Sequence, residues 1–259
     1  MDSQGLGANH TAMNTLQWLM TAAVFGIAGG VKGVTGMGLP TVAMSLLGLW
    51  MAPVQAAALL VVPSLATNLA QCRGPHWRTL VKRLWPGWLT ILVVTIAAPG
   101  FGSTTAADSA RLWLGWILVA YGTWGLWRPA LPDLSARSRW LGAVAGAATG
   151  AVTAATAVFV LPWVPYLQSL RLEKDQMVQA LGLSFTVATV ALAVRVQASA
   201  SPNWWTTDVA MAVCVALAGA FAGMKVGEAL RSRLAGAVFQ KVLFAVFIAL
   251  GVANLARAG

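Results

Sequence analysis

The sequence predicts an all-α polytopic membrane protein, an inverted-topology repeat in which each half is a broken helical hairpin plus three transmembrane helices. Three observations carry this. Of the 259 residues 58% are apolar and only 9% are charged, where a soluble domain carries about 25% charged residues. So few charges exclude an ordinary water-soluble enzyme, and the mean hydropathy of +0.73 excludes a disordered chain. Apolar segments then recur along the chain, most of them near the ~20 residues that a crossing helix needs. Finally, basic residues cluster in particular breaks between those segments, and the resulting orientation reverses between the halves.

Taken in order, Met1 to Asn14 is polar and lacks the basic start of a signal peptide. A first hairpin occupies 15–51, as segments 15–31 and 36–51, and helices follow at 53–71, 84–101 and 110–127. A second hairpin occupies 140–168, followed by helices at 176–197, 204–225 and 237–256. The halves divide as 1–132 and 133–259. All segments read as helices, because lipid leaves only helices or closed barrels viable and barrel strands alternate in polarity. Trp18, Trp50, Trp85, Trp88, Trp113, Trp127, Trp140, Trp204 and Trp205 stand near segment ends, as interfacial anchors do.

The charges orient these elements. The stretches 72–83, 128–139, 169–175 and 225–241 hold 13 of the 17 Lys and Arg residues and are expected in the cytoplasm. The stretches 102–109 and 198–206 hold none, nor does the chain before Lys32, so these and the N-terminus are expected outside. From 139 to 169 the chain must enter the membrane and return to the same side. Those residues are too few for two full crossings at ~20 each, so 140–168 is a pair of short or broken helices. Residues 15–51 pose the same problem from the other side. Two oppositely oriented halves with broken helices are a common transporter plan. Gly29, Gly33, Gly36 and Pro40 correspond roughly to Gly142, Gly146, Gly150 and Pro162.

The stretch Gly26 to Pro40 holds six glycines before its proline. Each Gly weakens a helix interior by about 1 kcal/mol and Pro by about 3. Two readings follow. A broken helix frees backbone N–H groups to cradle an anion, or small residues let helices pack closely. The Gly/Thr/Pro-rich hairpin in the other half favours the first.

These residues also carry a resemblance. Gly29-Gly30-Val-Lys32-Gly33-Val-Thr35-Gly36-Met-Gly38-Leu-Pro40, with Leu46-Leu47-Gly48-Leu49, resembles the sulfite exporter TauE/SafE family of bacterial membrane proteins. So does Pro165-Tyr166-Leu167-Gln168-Ser-Leu170-Arg-Leu172 with Lys174-Asp175. The resemblance implies movement of small sulfur oxyanions or organosulfonates across the inner membrane. It places Gly33, Thr35, Gly36, Gly38 and Pro40 on the family's Gly-rich motif, while Ala154 and Ala155 stand where a second Gly pair would fall.

The remaining candidates are polar residues at depth. Lys32 is the one cation within a broken hairpin, and intramembrane ionisable residues mark functional sites unless they snorkel to the surface. Gln55, Ser64, Thr67 and Asn68 in one half, and Gln179, Ser184, Thr186 and Thr189 in the other, would suit an oxyanion or simply join helices. Thr153 and Thr156 add donors from the second hairpin. The substrate-binding set is therefore Lys32, Gly33, Thr35, Gly36, Gly38, Pro40, Gln55, Asn68, Thr153, Thr156, Gln179 and Ser184, expected between the hairpins near the midplane. Arg195 and Asp208 would pair or line an exit, and Tyr166 and Gln168 would stand at an entrance.

Enzyme chemistry is not expected. No segment contains a histidine, an apposed Asp pair, H-E-x-x-H or G-x-S-x-G. Cys72 and Cys214 are too few for a disulfide scaffold. No cofactor or metal is expected, and the net charge of +10 reflects cytoplasmic loops rather than nucleic acid. The expected partners are a small anionic substrate and lipid, with a homodimer left open. The function read from all this is export of a sulfite-like anion, the alternative being import or proton-coupled carriage of another small organic anion. All seven acidic residues fall in loops or near segment ends, so electrogenic export without a proton relay is expected.

Overall fold

Residues 15–98, 104–127, 131–134, 139–199, 206–231 and 236–258 are described by a computed structural model. His10, Trp204, Trp205, the N-terminal stretch, residues 102–103 and residues 200–205 lie outside them. The described residues form α1 (Thr15–Thr35), α2 (Leu39–Leu47), α3 (Pro53–Gln71), α4 (Trp77–Ala97) and α5 (Thr104–Trp127). They continue as α6 (Arg139–Thr156), α7 (Trp163–Ser169), α8 (Lys174–Ser199), α9 (Thr207–Leu230) and α10 (Gly236–Ala258), with no strand among them. Six of these helices, α1, α3, α4, α8, α9 and α10, are long and apolar enough to cross a membrane. The protein is a multi-pass helical membrane protein.

Each predicted segment has its helix, but α4 begins seven residues before the predicted 84 and α5 six before the predicted 110, so most of the expected break at 102–109 is helical. The opening turns of α4 carry Trp77, Arg78, Lys82 and Arg83; Arg78 and Lys82 are exposed, and the Arg78 guanidinium lies over the Trp77 ring, 5.2 Å from its centroid. A charge cluster therefore did not end the helix. Trp85, Trp113, Trp127 and Trp140 are exposed on the flanks, whereas Trp88 is buried and donates its indole N–H to Ser184 Oγ at 2.8 Å. That bond removes Trp88 from the interfacial belt.

The helices pair in a regular way: α1 packs on α9, α4 on α6, α5 on α10, and α3 on α8. Glycine decides the first two pairings. A Cβ on Gly33 would overlap Met224 O of α9 and meet Glu228 N at 2.8 Å; one on Gly29 would overlap Ala220 O. Likewise a Cβ on Gly146 would overlap Gly87 O of α4, and one on Gly150 would meet Ile91 O at 3.0 Å. Backbones this close gain dispersion contacts and need no large side chain. The glycines of Gly26 to Gly33 therefore do not break α1, which runs unbroken to Thr35. Bulk at Gly33 forces two backbones apart, and overpacking of this kind costs about 1–3 kcal/mol. Gly33→Leu is accordingly expected to lower the thermal stability of the detergent-solubilised protein markedly, as a melting scan would show. Gly26→Ala, whose Cβ meets nothing within 4 Å, is expected to match or exceed the parent.

The breaks themselves are short. Gly36 and Gly38 have φ of 81° and 99°, a left-handed conformation that favours glycine. Thr35 Oγ1 donates to Val31 O at 2.8 Å and accepts from Met37 N at 3.2 Å. In the second hairpin Thr156 Oγ1 donates to Val152 O at 2.7 Å and accepts from Val158 N at 3.2 Å, with Ala157 at a φ of 56°. One threonine device ends both long hairpin helices, satisfying a backbone N–H that the helix no longer pairs.

Candidate functional site

α3 and α8 cross at the centre of the bundle, and a polar cluster sits where α1 meets them. Lys32, in the last turn of α1, is only 1% exposed. Its ammonium donates to Thr67 Oγ1 at 3.1 Å and to Asn68 Oδ1. Asn68 Nδ2 in turn donates to Ser64 Oγ and to Thr189 Oγ1 of α8, each at 3.2 Å. Ser64 and Thr189 hydroxyls are 3.1 Å apart. The sequence favours this arrangement because Ser64, Thr67 and Asn68 stand at i, i+3 and i+4, on one helical face. Lys32 does not snorkel. Nor does any carboxylate among the described residues pair with it; Lys225 and Glu228 pair with each other, on the exposed end of α9. A buried cation held only by neutral groups is costly unless a counter-charge arrives.

One turn of α3 links this cluster to the break. Gln71, one turn beyond Thr67 and Asn68, donates from Nε2 to Gly36 O at 2.9 Å, while its buried Oε1 has no partner. Beside the break lies a cavity of about 270 Å³ lined by Thr35, Met37 and Gly38, the ends of α5 and α10, and Gln168 of α7. The second break is different, since Ala157, Val158, Phe159 and Val160 are all buried, with Phe159 packed on Phe185 at 5.0 Å.

Of the expected site residues, Lys32 and Asn68 meet directly, and Thr35, Gly36 and Gly38 form the adjoining break. Pro40 lies buried in the first turn of α2. Gly33 faces α9 and serves packing. Thr153 and Thr156 bond back to their own helix, Thr153 Oγ1 donating to Thr149 O at 2.8 Å. Gln179 is committed to the α3–α4 turn, donating to Cys72 O and Gly74 O at 2.9 Å and accepting from His76 N at 3.0 Å. Ser184 receives Trp88 and donates to Ala180 O at 2.6 Å. Gln55 is exposed at the start of α3, about 20 Å along the helix from Asn68 at 1.5 Å per residue. Arg195 donates to Thr95 O at 2.9 Å, capping the end of α4, and Tyr166 packs its hydroxyl near Gly142. Gln71 and Tyr121 were not legible as site residues.

Helix-borne donors, one buried cation and an aqueous-sized cavity can bind and pass a small anion. Residues 21–254 match the family described as Sulfite exporter TauE/SafE. The chain belongs to the TauE/SafE sulfite exporter family. The match spans nearly the whole chain, so membership covers both hairpins and the polar cluster. The family is one of transporters and not of enzymes, and its members act on small sulfur anions. No curated protein and no solved structure matches the chain.

Proposed function

We propose that this TauE/SafE family protein exports a small sulfur oxyanion or organosulfonate from the cytoplasm across the inner membrane. The anion binds near the midplane at the first break, with Lys32 as its counter-charge and Asn68, Thr35 and the Gly36–Gly38 backbone around it. The observation that carries this is Lys32, buried at 1% exposure with neutral partners alone. An arriving anion supplies the missing charge, and charge-assisted hydrogen bonds of this kind are the strong ones. Gly33, Pro40, Gln55, Gln179, Ser184, Thr153 and Thr156 act around this site as supports rather than ligands, given the bonds and packing they make.

The halves 1–132 and 133–259 are read as inverted repeats with the N-terminus outside. Three features support that. The exchange of halves maps the pairing of α1 with α9 onto that of α6 with α4. The threonine breaks at Thr35 and Thr156 share the separation of 121 residues that Asn68 and Thr189 show. At that separation Gly29 falls on Gly150, and Lys32 falls on Thr153, so only the first hairpin holds a charge. The polar cluster then lies around the pseudo-two-fold axis. Cysteine-accessibility labelling tests the orientation: residues of 102–109 and 198–206 are expected to react from outside, and labelling from the cytoplasm would refute it.

Direction follows from charge. A negative interior favours exit of an anion by about 2.3 kcal/mol per charge per 100 mV, roughly fiftyfold in concentration. Isothermal titration of the purified protein with sulfite, methanesulfonate, acetate and ammonium tests the site itself. Sulfite or methanesulfonate should bind and ammonium should not; acetate binding more tightly than both would reassign the substrate.

A further inference from the structure

Of the four basic stretches, 128–139 holds Asp133, 169–175 holds Glu173 and Asp175, and 225–241 holds Glu228. The stretch 72–83 is different. It carries Arg73, Arg78, Lys82 and Arg83 and no acidic residue. Arg78, Lys82, Trp85 and Leu89 stand at i, i+4, i+7 and i+11, on one face of α4. Arg78 and Lys82 are exposed, and so are Trp85, Leu89, Val93 and Ile96, by 42% to 53%. This face is turned away from α6, which packs at Gly87, and from α8, which receives the Trp88 indole. The half-exposed Trp77 ring holds the Arg78 guanidinium at 5.2 Å, a cation–π contact that keeps the charge at the surface. Setting the orientation of a chain requires basic residues in a loop, but not their alignment above an apolar strip.

Depth sharpens the match. A tryptophan such as Trp85 anchors where hydrocarbon meets headgroups. Lys82 lies about 4.5 Å and Arg78 about 10.5 Å beyond it along the axis, at 1.5 Å per residue. The headgroup layer is about 5–7 Å thick on each side of a bilayer, so the two cations bracket it. On the other side of Trp85, Leu89, Val93 and Ile96 offer the apolar surface that acyl chains pack against. A zwitterionic headgroup brings its own cation to this basic pair, whereas an anionic one brings only the complementary charge. We propose that this face of α4 binds an anionic phospholipid, its phosphate between Arg78 and Lys82 and its chains along Leu89, Val93 and Ile96. The lipid steadies the start of α4 and with it the α3–α4 turn, which bonds Gln179 of α8.

Native mass spectrometry of the purified full chain, released from micelles holding equal dioleoylphosphatidylglycerol and dioleoylphosphatidylcholine, tests this. The parent should retain phosphatidylglycerol at least twentyfold over phosphatidylcholine, since each Lys or Arg at an anionic surface contributes about fivefold. Arg78→Gln with Lys82→Gln should cut the preference to under threefold. Lys82→Gln alone, should the pair not fold, should cut it about fivefold. Arg231→Gln with Lys241→Gln removes the same charge from another basic stretch and should leave the preference within twofold of the parent. Equal retention of the two lipids by the parent overturns the proposal, as does an unchanged preference in the Arg78–Lys82 variants. An equal loss in both double variants also overturns it, being the mark of net charge without a site. Glycerol phosphate at the lipid's concentration should displace no lipid; displacement would reassign the face to a free phosphate and overturn the proposal as well.

Discussion

Lys32→Met is expected to reduce anion transport by about a hundredfold while leaving the protein at least as stable as the parent. The two halves of that expectation have one cause. Lys32 donates to Thr67 and Asn68, both neutral, so its charge is desolvated without an ionic partner. Replacing such a charge with an apolar chain of similar length relieves the desolvation penalty. The same replacement removes the charge-assisted bond to the substrate, worth about 1.5–3 kcal/mol, or up to about a hundredfold in affinity. A merely structural lysine would give the opposite pattern, in which transport falls only as far as stability does. Melting temperature and initial flux measured on the same preparation separate the two.

Gly38→Val is expected to abolish transport by distorting the break. At a φ of 99° a β-branched residue is a backbone outlier, and its Cβ would stand 3.2 Å from Val31 Cγ1. The left-handed region costs an ordinary residue about 1–2 kcal/mol, and the chain escapes that strain most easily by moving the break. Movement there misplaces Thr35, Met37 and the backbone groups that face the cavity. Gly36→Ala tests the same point more gently, because its Cβ would meet Gln71 Nε2 only at 3.9 Å. There conformation alone is strained, and a partial loss is expected. Flux unaffected by both changes would show that the break has no part in transport.

Helix number and order, and the two hairpins, were legible from apolar run length and charge placement, since lipid permits few alternatives. Lys32 and Asn68 were legible too, because polar residues at depth stand out against so apolar a background. The division of labour among the glycines was not. Gly29 and Gly33 pack on α9 while Gly36 and Gly38 break the chain, and only the facing helix distinguishes these uses. Spacing in sequence does not name that helix. Gln179 and Ser184 read as site donors because polarity is visible in sequence and hydrogen-bond partners are not; the backbone of the α3–α4 turn and the indole of Trp88 occupy them. Gln71 was obscured by its place at a segment end next to a charged loop. Tyr121 was hidden among the aromatic and glycine residues of α5, although a phenol at that depth is itself a signal, because a buried hydroxyl needs a partner.

Purified protein reconstituted into liposomes loaded with sulfite, with a potassium gradient and valinomycin setting the membrane potential, measures the export step itself. An interior-negative potential should raise the initial rate of protein-dependent sulfite efflux, a reversed potential should slow it, and Lys32→Met should remove the protein-dependent part. Efflux that ignores the potential and follows an imposed pH gradient, or that persists undiminished in Lys32→Met, would contradict electrogenic anion export through the Lys32 site.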